Sequence, residues 1–280
     1  YTGEISPTMI ADAGCGYVDS TGEPPFLRHV FEVDGPRAEE SGARLLTAFG
    51  YDYVPGNLAA AHAIDDAIHA GRPPVHVEVG YFVTGGMSMS SGTRASVAGM
   101  METPPFALRN GVIANTRGQV LEFEVDGRDW QAVPVGGSEH FTLTRIDDQV
   151  RDVSVGIGWA GKWSKAAHQA GTLLTKASSI PGVGSVVTSG LQRATPEETG
   201  IGPDAAERSK SRTLVVARCS DGVGREISRA VVEGPSPYDL TAELLAWGAA
   251  MLLTGKAMRP GALGPVDAFA ATEMSPPETA

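Results

Sequence analysis

The first 71 residues of the chain alternate between two apolar rhythms. Residues 5–12 carry apolar positions at helical spacing and stop at Gly14, a residue suited to ending a helix. CGYVD (15–19) reads as a short strand. PPFLRHVFEV (24–33) reads as a helix with prolines near its start, where a missing N–H is harmless, and Asp34-Gly35-Pro36 breaks it. ARLLTAF (43–49) is the unbroken apolar run of a buried strand, GYDYVPGN (50–57) a loop, and LAAAHAIDDAIHAG (58–71) an alanine-rich helix closing on Gly71. Helix, strand, helix, strand, helix is the rhythm of a parallel α/β sheet.

The pattern changes at Arg72-Pro73-Pro74. VHVEVGYFVTG (75–85) alternates like a strand, GGMSMSSGT (85–93) is a polar loop, and TRASVAGMMET (93–103) reads as a helix. Residues 110–157 are rich in short β-like runs: GVIANT, VLEFEV, WQAVPV, FTLTRI and DVSVGIG. Residues 162–192 read as helix in two pieces, broken at Ile180-Pro181-Gly182, and 195–211 as a polar loop. TLVVARCSDG and REISRAVVEG form a hairpin around Asp221-Gly222. SPYDLTAELLAWGAAMLL (236–253) is a helix with Asp239 or Thr241 near its cap. No internal repeat interrupts this order.

Composition narrows the class. Of 280 residues, 42% are hydrophobic and 20% charged, enough for a packed core. A net charge of -11 argues against nucleic acid as a partner, since phosphate binding needs clustered Lys and Arg. The two cysteines, Cys15 and Cys219, suit a reducing, cytoplasmic compartment without a disulfide framework. The most apolar segment, Leu240–Leu253, is short and carries Glu243, so no membrane span is expected. The opening on Tyr1 rather than Met, with no signal-peptide pattern, suggests a fragment.

Candidate chemistry is sparse. Gly156-x-Gly158-x-x-Gly161 has the spacing of a dinucleotide turn, but Val153–Pro196 contains no Asp or Glu to hold a ribose. Read instead as a P-loop, it is one residue short and has Trp163 where Ser or Thr should stand. Tight packing where a strand turns into a helix explains these glycines better. The six histidines form no HxH or HExxH, so no metal site is expected, and no GxSxG elbow exists. Met87, Met89, Met100 and Met101 read as core or apolar lining. Two loops remain, each after a strand of the first unit: Tyr17–Glu23 and Gly50–Asn57. Parallel strands would bring both to one sheet edge. The alternative is structural, with Asp19 or Thr21 capping the next helix and Asp52 making a local turn.

These loops carry a resemblance. AGCGYVDSTGEPPFL followed by ARLLTAFGYDYVPGNLAA resembles the saccharopine dehydrogenase-like NAD(P)-dependent oxidoreductases, which include trans-acting enoyl reductases. Tyr17, Asp19, Thr21, Gly22, Glu23 and Phe26 match the family's first motif; Gly50, Asp52 and Pro55 match its second. Tyr51, Tyr53, Gly56 and Asn57 depart from it. Weaker similarity runs through SSGTRAS, PYDLTA and GALGPVDAF.

The resemblance implies an α/β fold. Residues 1–71 would be the later part of a Rossmann-type NAD(P) domain with an incomplete parallel sheet. Residues 72–235 would form a mixed α+β substrate or dimerisation domain with an antiparallel sheet, and 236–280 a helical segment returning to the first domain. Tyr1-Thr2 resembles the family's G-P-Y-T loop, so the first half of the Rossmann domain, with its phosphate turn, would be missing. The implied activity is hydride transfer from NADPH or NADH to a C=C or C=N bond of a small, apolar or lipid-like substrate, impaired in this chain, and a homodimer would fit. Expected cofactor-side residues are Tyr1, Thr2, Tyr17, Asp19, Thr21, Gly22, Glu23, Gly50, Tyr51 and Asp52. The general acid is open: Tyr17 and Tyr51 are chemically able. The rival reading is a non-catalytic binding module lined by Phe82, Met87, Met89 and the tryptophans.

Overall fold

The computed structural model describes residues 5–86, 89–90, 92–94, 96, 105–116, 118–158, 202–256 and 259–269. The helices expected over 162–192, Tyr1-Thr2, most of 93–103 and the tail lie outside them.

The first unit follows its sequence rhythm. Helix α1 (Ile5–Ala13) leads through Gly14, φ +68°, into β1 (Gly16–Val18). Helix α2 (Pro24–His29) does not stop at Asp34-Gly35-Pro36. It passes through one π-helical stretch, Val30–Asp34, into α3 (Gly35–Ser41). Pro36 sits at the start of α3, where it lacks no needed donor. Gly35 packs on Ala262, a Cβ there lying 3.1 Å from that side chain. Strand β2 is only Arg44–Leu46, because Ala48 turns to φ +53°. Helix α4 begins at Val54, not 58, with Pro55 in its first turn, and runs to His69. β1 and β2 pair in parallel, and β2 pairs in parallel with β11 (Gly261–Ala262), giving the order β1-β2-β11.

The remaining strands build one mixed sheet: β3 (His76–Thr84), β4 (Phe106–Arg109), β5 (Val112–Asn115), β6 (Leu121–Val125), β7 (Arg128–Val135), β8 (Asp152–Ile157), β9 (Arg212–Ser220) and β10 (Glu226–Gly234). Its main path is β10-β9-β3-β8-β4-β5, with β7 joining β8 and β6 joining β7. All its pairs are antiparallel except β3 with β8, so the sheet is mixed rather than purely antiparallel. The hairpin expected around Asp221-Gly222 is β9–β10.

One strand was not expected, and two further local expectations fail. Phe106–Arg109 is a strand with no sequence signal assigned to it. FTLTRI is not a strand: Glu139–Thr142 form α5 and Leu143–Arg145 a 3₁₀ turn. Tertiary contacts outweigh the alternating pattern there, for Thr142 Oγ1 donates to Asn57 Oδ1 at 2.6 Å. Within the polar loop 195–211, Ala205–Lys210 form α6, capped reciprocally by Asp204 and Glu207. Helix α7 (Pro237–Leu253) is capped by Ser236, which accepts from Asp239 N, and α8 (Pro265–Ala268) follows β11.

Helix α4 fills one face of the mixed sheet. Ala60, Ala63 and Ile64 pack with Val77, Val79, Tyr81, Val153, Val155, Val215 and Ala217. On the other face the β6–β7 hairpin folds over Phe82, Leu214 and Val216 with Phe123 and Ala132. Helix α7 lies on β1, and Leu244, Trp247 and Met251 join Leu46, Phe49 and Phe269. No described helix is long and apolar enough to cross a membrane.

Candidate functional site

Both candidate loops leave the carboxyl ends of neighbouring parallel strands, the usual ligand edge of such sheets. Asp19 ties them together. Its Oδ1 accepts from Thr21 N (3.1 Å), Thr47 Oγ1 (3.1 Å) and Ala48 N (2.9 Å), and its Oδ2 accepts from the Tyr17 hydroxyl at 2.5 Å. Asp19 and Thr21 do not cap α2, whose N-cap is Glu23 with no side-chain bond. Asp19 instead holds the β1 loop onto the β2 loop. Burial pushes the Tyr17 phenol above its ordinary value, and the Asp19 carboxylate beside it adds to the effect.

The second loop packs against the first. Gly22 lies on Asp52, whose Oδ2 is 3.0 Å from where a Gly22 Cβ would stand. Gly50 is pressed by Thr241 of α7, whose Cγ2 would meet a Cβ at 2.8 Å, and Tyr51 N donates to Thr241 Oγ1 at 3.0 Å. The Tyr51 side chain is buried, its hydroxyl 3.3 Å from Phe82 O. The Tyr53 hydroxyl reaches Gly22 O (3.2 Å) and Gly136 O (3.1 Å), bridging to the turn before α5.

Two acids stand out chemically. Asp52 is half-buried, and its Oδ1 is shielded without a hydrogen-bond partner among the described residues. Burial, then the Glu23 charge, pushes its carboxyl up to about 7. Glu23 itself accepts from Ser96 Oγ at 2.6 Å through Oε1, while Oε2 is shielded and has no partner among the described residues. Glu139 was not among the expected residues. It is fully buried, with Oε1 2.5 Å from the Tyr81 hydroxyl, and burial pushes it up to about 8.

A polar lattice supports this pair. Asn57 Nδ2 donates to Tyr53 O (2.9 Å) and Ser138 Oγ (3.0 Å). His140 Nδ1 faces both Gly137 N (3.1 Å) and Gly137 O (2.9 Å), and burial pulls its imidazole down to about 4. The sequence did carry a signal for this region: the glycine pair before Ser138-Glu139-His140, and the departures at Tyr53, Gly56 and Asn57.

Other expectations resolve differently. Gly156 and Gly158 do not form a turn; Gly161 lies outside the described residues. Gly156 is paired with Gly80 inside the sheet, and a Cβ on it would lie 2.8 Å from Ala132. Gly158 N donates to Tyr81 O at 2.8 Å, and Phe82 fills the space over its Cα. These glycines let the β6–β7 hairpin lie close on β8. Phe82 is buried beside Trp130 rather than lining a cavity, which removes it from the binding-module reading; Met87 lies outside the described residues. Two grooves of about 630 and 570 Å³ lie over the mixed sheet, sharing Glu78, Arg109, Ser154 and Arg218. Neither includes a residue of the two loops, and Glu78–Arg218 (2.5 Å) and His76–Asp152 (2.9 Å) already pair there. Among the described residues no His, Cys, Asp and Glu cluster could hold a metal ion.

Comparison with known proteins agrees with the motif. A Mycobacterium tuberculosis protein bearing the name trans-acting enoyl reductase is 25% identical over 275 residues, covering 84% of this chain and 64% of its own length. A protein of Arabidopsis thaliana, named as a mitochondrial saccharopine dehydrogenase-like oxidoreductase, is 42% identical over 56 residues, 20% of this chain and 12% of its own. Both relatives carry the family names that the two loops imply. No family model matches the chain. Among solved structures, the L-Glu-forming saccharopine dehydrogenase of Saccharomyces cerevisiae aligns with TM-score 0.49 and 14% identity, over 89% of this chain and 74% of that one. The chain spans 64% of the length of the first curated relatives it matches.

Proposed function

We propose that these residues form the nicotinamide and substrate side of an NAD(P)H-dependent oxidoreductase that reduces a C=C or C=N bond. The observation that carries the reading is the meeting of Gly22 and Asp52, which joins the two motif loops at one sheet edge. The names of the relatives supply the reaction class. Residues 1–71 then belong to the nucleotide domain and 72–235 to the substrate domain, and the segment from 236 returns to the first.

The residues fit the nicotinamide end of the cofactor. Glu23 Oε2 and Asp52 Oδ1 are acceptors without a partner among the described residues, as an amide N–H₂ would need. Tyr17, Asp19 and Thr21 support that loop, and Gly50 and Tyr51 line the other. Among the described residues no G-x-G-x-x-G turn opens a helix to grip a pyrophosphate. When bound, NAD(P)H supplies the hydride. Asp52 is the proton donor in this reading. Tyr17 is committed to Asp19 and Tyr51 is buried against Phe82, whereas Asp52 is only half-buried and its carboxyl is pushed up to about 7, in the range a general acid needs.

The test is a titration of the chain with NADPH and NADH, followed by nicotinamide fluorescence, in wild type and Gly22→Val. The expected result is saturable binding, weak and on the order of millimolar, and lost in G22V. No saturation into the millimolar range, or binding that G22V leaves unchanged, would overturn the assignment.

A further inference from the structure

Glu139 raises a question of hydrogen count. The Tyr81 hydroxyl has one hydrogen and two oxygens in reach, Glu139 Oε1 at 2.5 Å and Tyr53 O at 3.1 Å. Both contacts are hydrogen bonds only if Glu139 supplies the second hydrogen. The surroundings favour that state. Asp52 faces it as a further carboxyl, itself beside Glu23, and Tyr53 and Tyr81 face it as phenols. His140, on its own helix, is neutral and turned to Gly137, and Arg109 of β4 acts on His140. Among the described residues no Lys or Arg forms an ion pair with Glu139. An unpaired buried carboxylate is costly; the neutral acid is the cheaper state.

The room for this arrangement is built into the backbone. The Tyr81 hydroxyl fills the place of a Cβ on Gly56, and a Cβ on Gly137 would lie 2.5 Å from Glu139 Oε2. We propose that Glu139 is a positioning residue: a neutral acid that donates to Tyr81, so that Tyr81 donates to the Tyr53 carbonyl and holds the turn that carries Asp52. This rests on the reading of Asp52 as the proton donor. A charge on Asp52 favours the proton staying on Glu139. A neutral Glu139 adds no negative charge to Asp52 while Asp52 exchanges its proton.

Carbon-13 titration of the Asp and Glu carboxyl carbons tests this in wild type, Glu139→Gln and Asp52→Asn. The expected wild-type result is one Glu titrating near 8. That signal vanishes in E139Q and moves down in D52N, while the Asp52 midpoint in E139Q stays in place. A wild type in which every Glu titrates within about 1 unit of the ordinary value of about 4.3 overturns the inference. So does an E139Q variant whose Asp52 midpoint falls by about 1 unit or more, since Glu139 would then ionise first. If E139Q does not fold, wild type and D52N carry the test. An Asp52 midpoint near the ordinary value of about 3.9 would sink the proton-donor reading instead, whatever Glu139 does.

Discussion

The Tyr81 hydroxyl occupies the space that a Cβ on Gly56 would fill. One missing methyl on α4 therefore lets a β3 phenol reach both the Tyr53 carbonyl and Glu139. Gly56→Ala should cost about 3 kcal/mol or more, because the ring is packed in the core and cannot swing aside. Gly222→Ala, where the nearest atom is 3.9 Å away, should change stability by less than about 0.5 kcal/mol. Thermal melts of the two variants check the contrast.

Asp19 accepts four hydrogen bonds from two loops. Asp19→Ala leaves those donors unpaired and should cost about 2–4 kcal/mol. Tyr17→Phe removes one charge-assisted bond and should cost about 1–2 kcal/mol. Urea midpoints at unchanged slope would measure both. A D19A cost below that of Y17F would show that Asp19 does not organise the loops.

Stability should fall as pH rises through neutrality. Asp52 and Glu139 bind protons more tightly when folded, up to about 7 and about 8, than their ordinary values near 4. The folded state then holds more protons than the unfolded one, so stability drops with rising pH until both have ionised. His140, pulled down to about 4, works the other way below its ordinary value of about 6.5. The uncompensated loss should therefore appear between pH about 6.5 and about 8. Glu139→Gln should flatten that limb, as read by urea midpoints across the range.

Gly158→Val should damage the fold whether or not a nucleotide is present. Phe82 and Gln131 O occupy the space a side chain would need. The variant should lose stability by about 2 kcal/mol or more. Equal losses with and without NADPH would support the packing role. A normal melt with NADPH binding selectively lost would restore the phosphate-turn reading.

The parallel unit was legible because its signals are local. Apolar runs, Gly14 and Gly71 mark strands and helix ends, and the two loops follow strands by chain order alone. Asp19 looked equally able to cap a helix, and only the three-dimensional fold shows it accepting from Thr47 and Ala48 instead. The continuation of α2 through Asp34-Gly35-Pro36 was hidden because the usual breakers there suit a helix start. Glu139 was hidden for a different reason. Its place in FTLTRI-flanking sequence resembles a strand edge, and its importance comes from Tyr81, 58 positions away. The glycines at 156 and 158 were visible, but the residues they admit, Ala132 and Phe82, were not.

The most direct test of the account is an amide chemical-shift map of the chain titrated with NADPH. The account predicts saturable shifts at residues 19–23 and 50–53 that weaken in Asp52→Asn, with Gly156 and Gly158 unmoved. Shifts centred on Gly156–Gly158, or none in either loop up to millimolar NADPH, would contradict it.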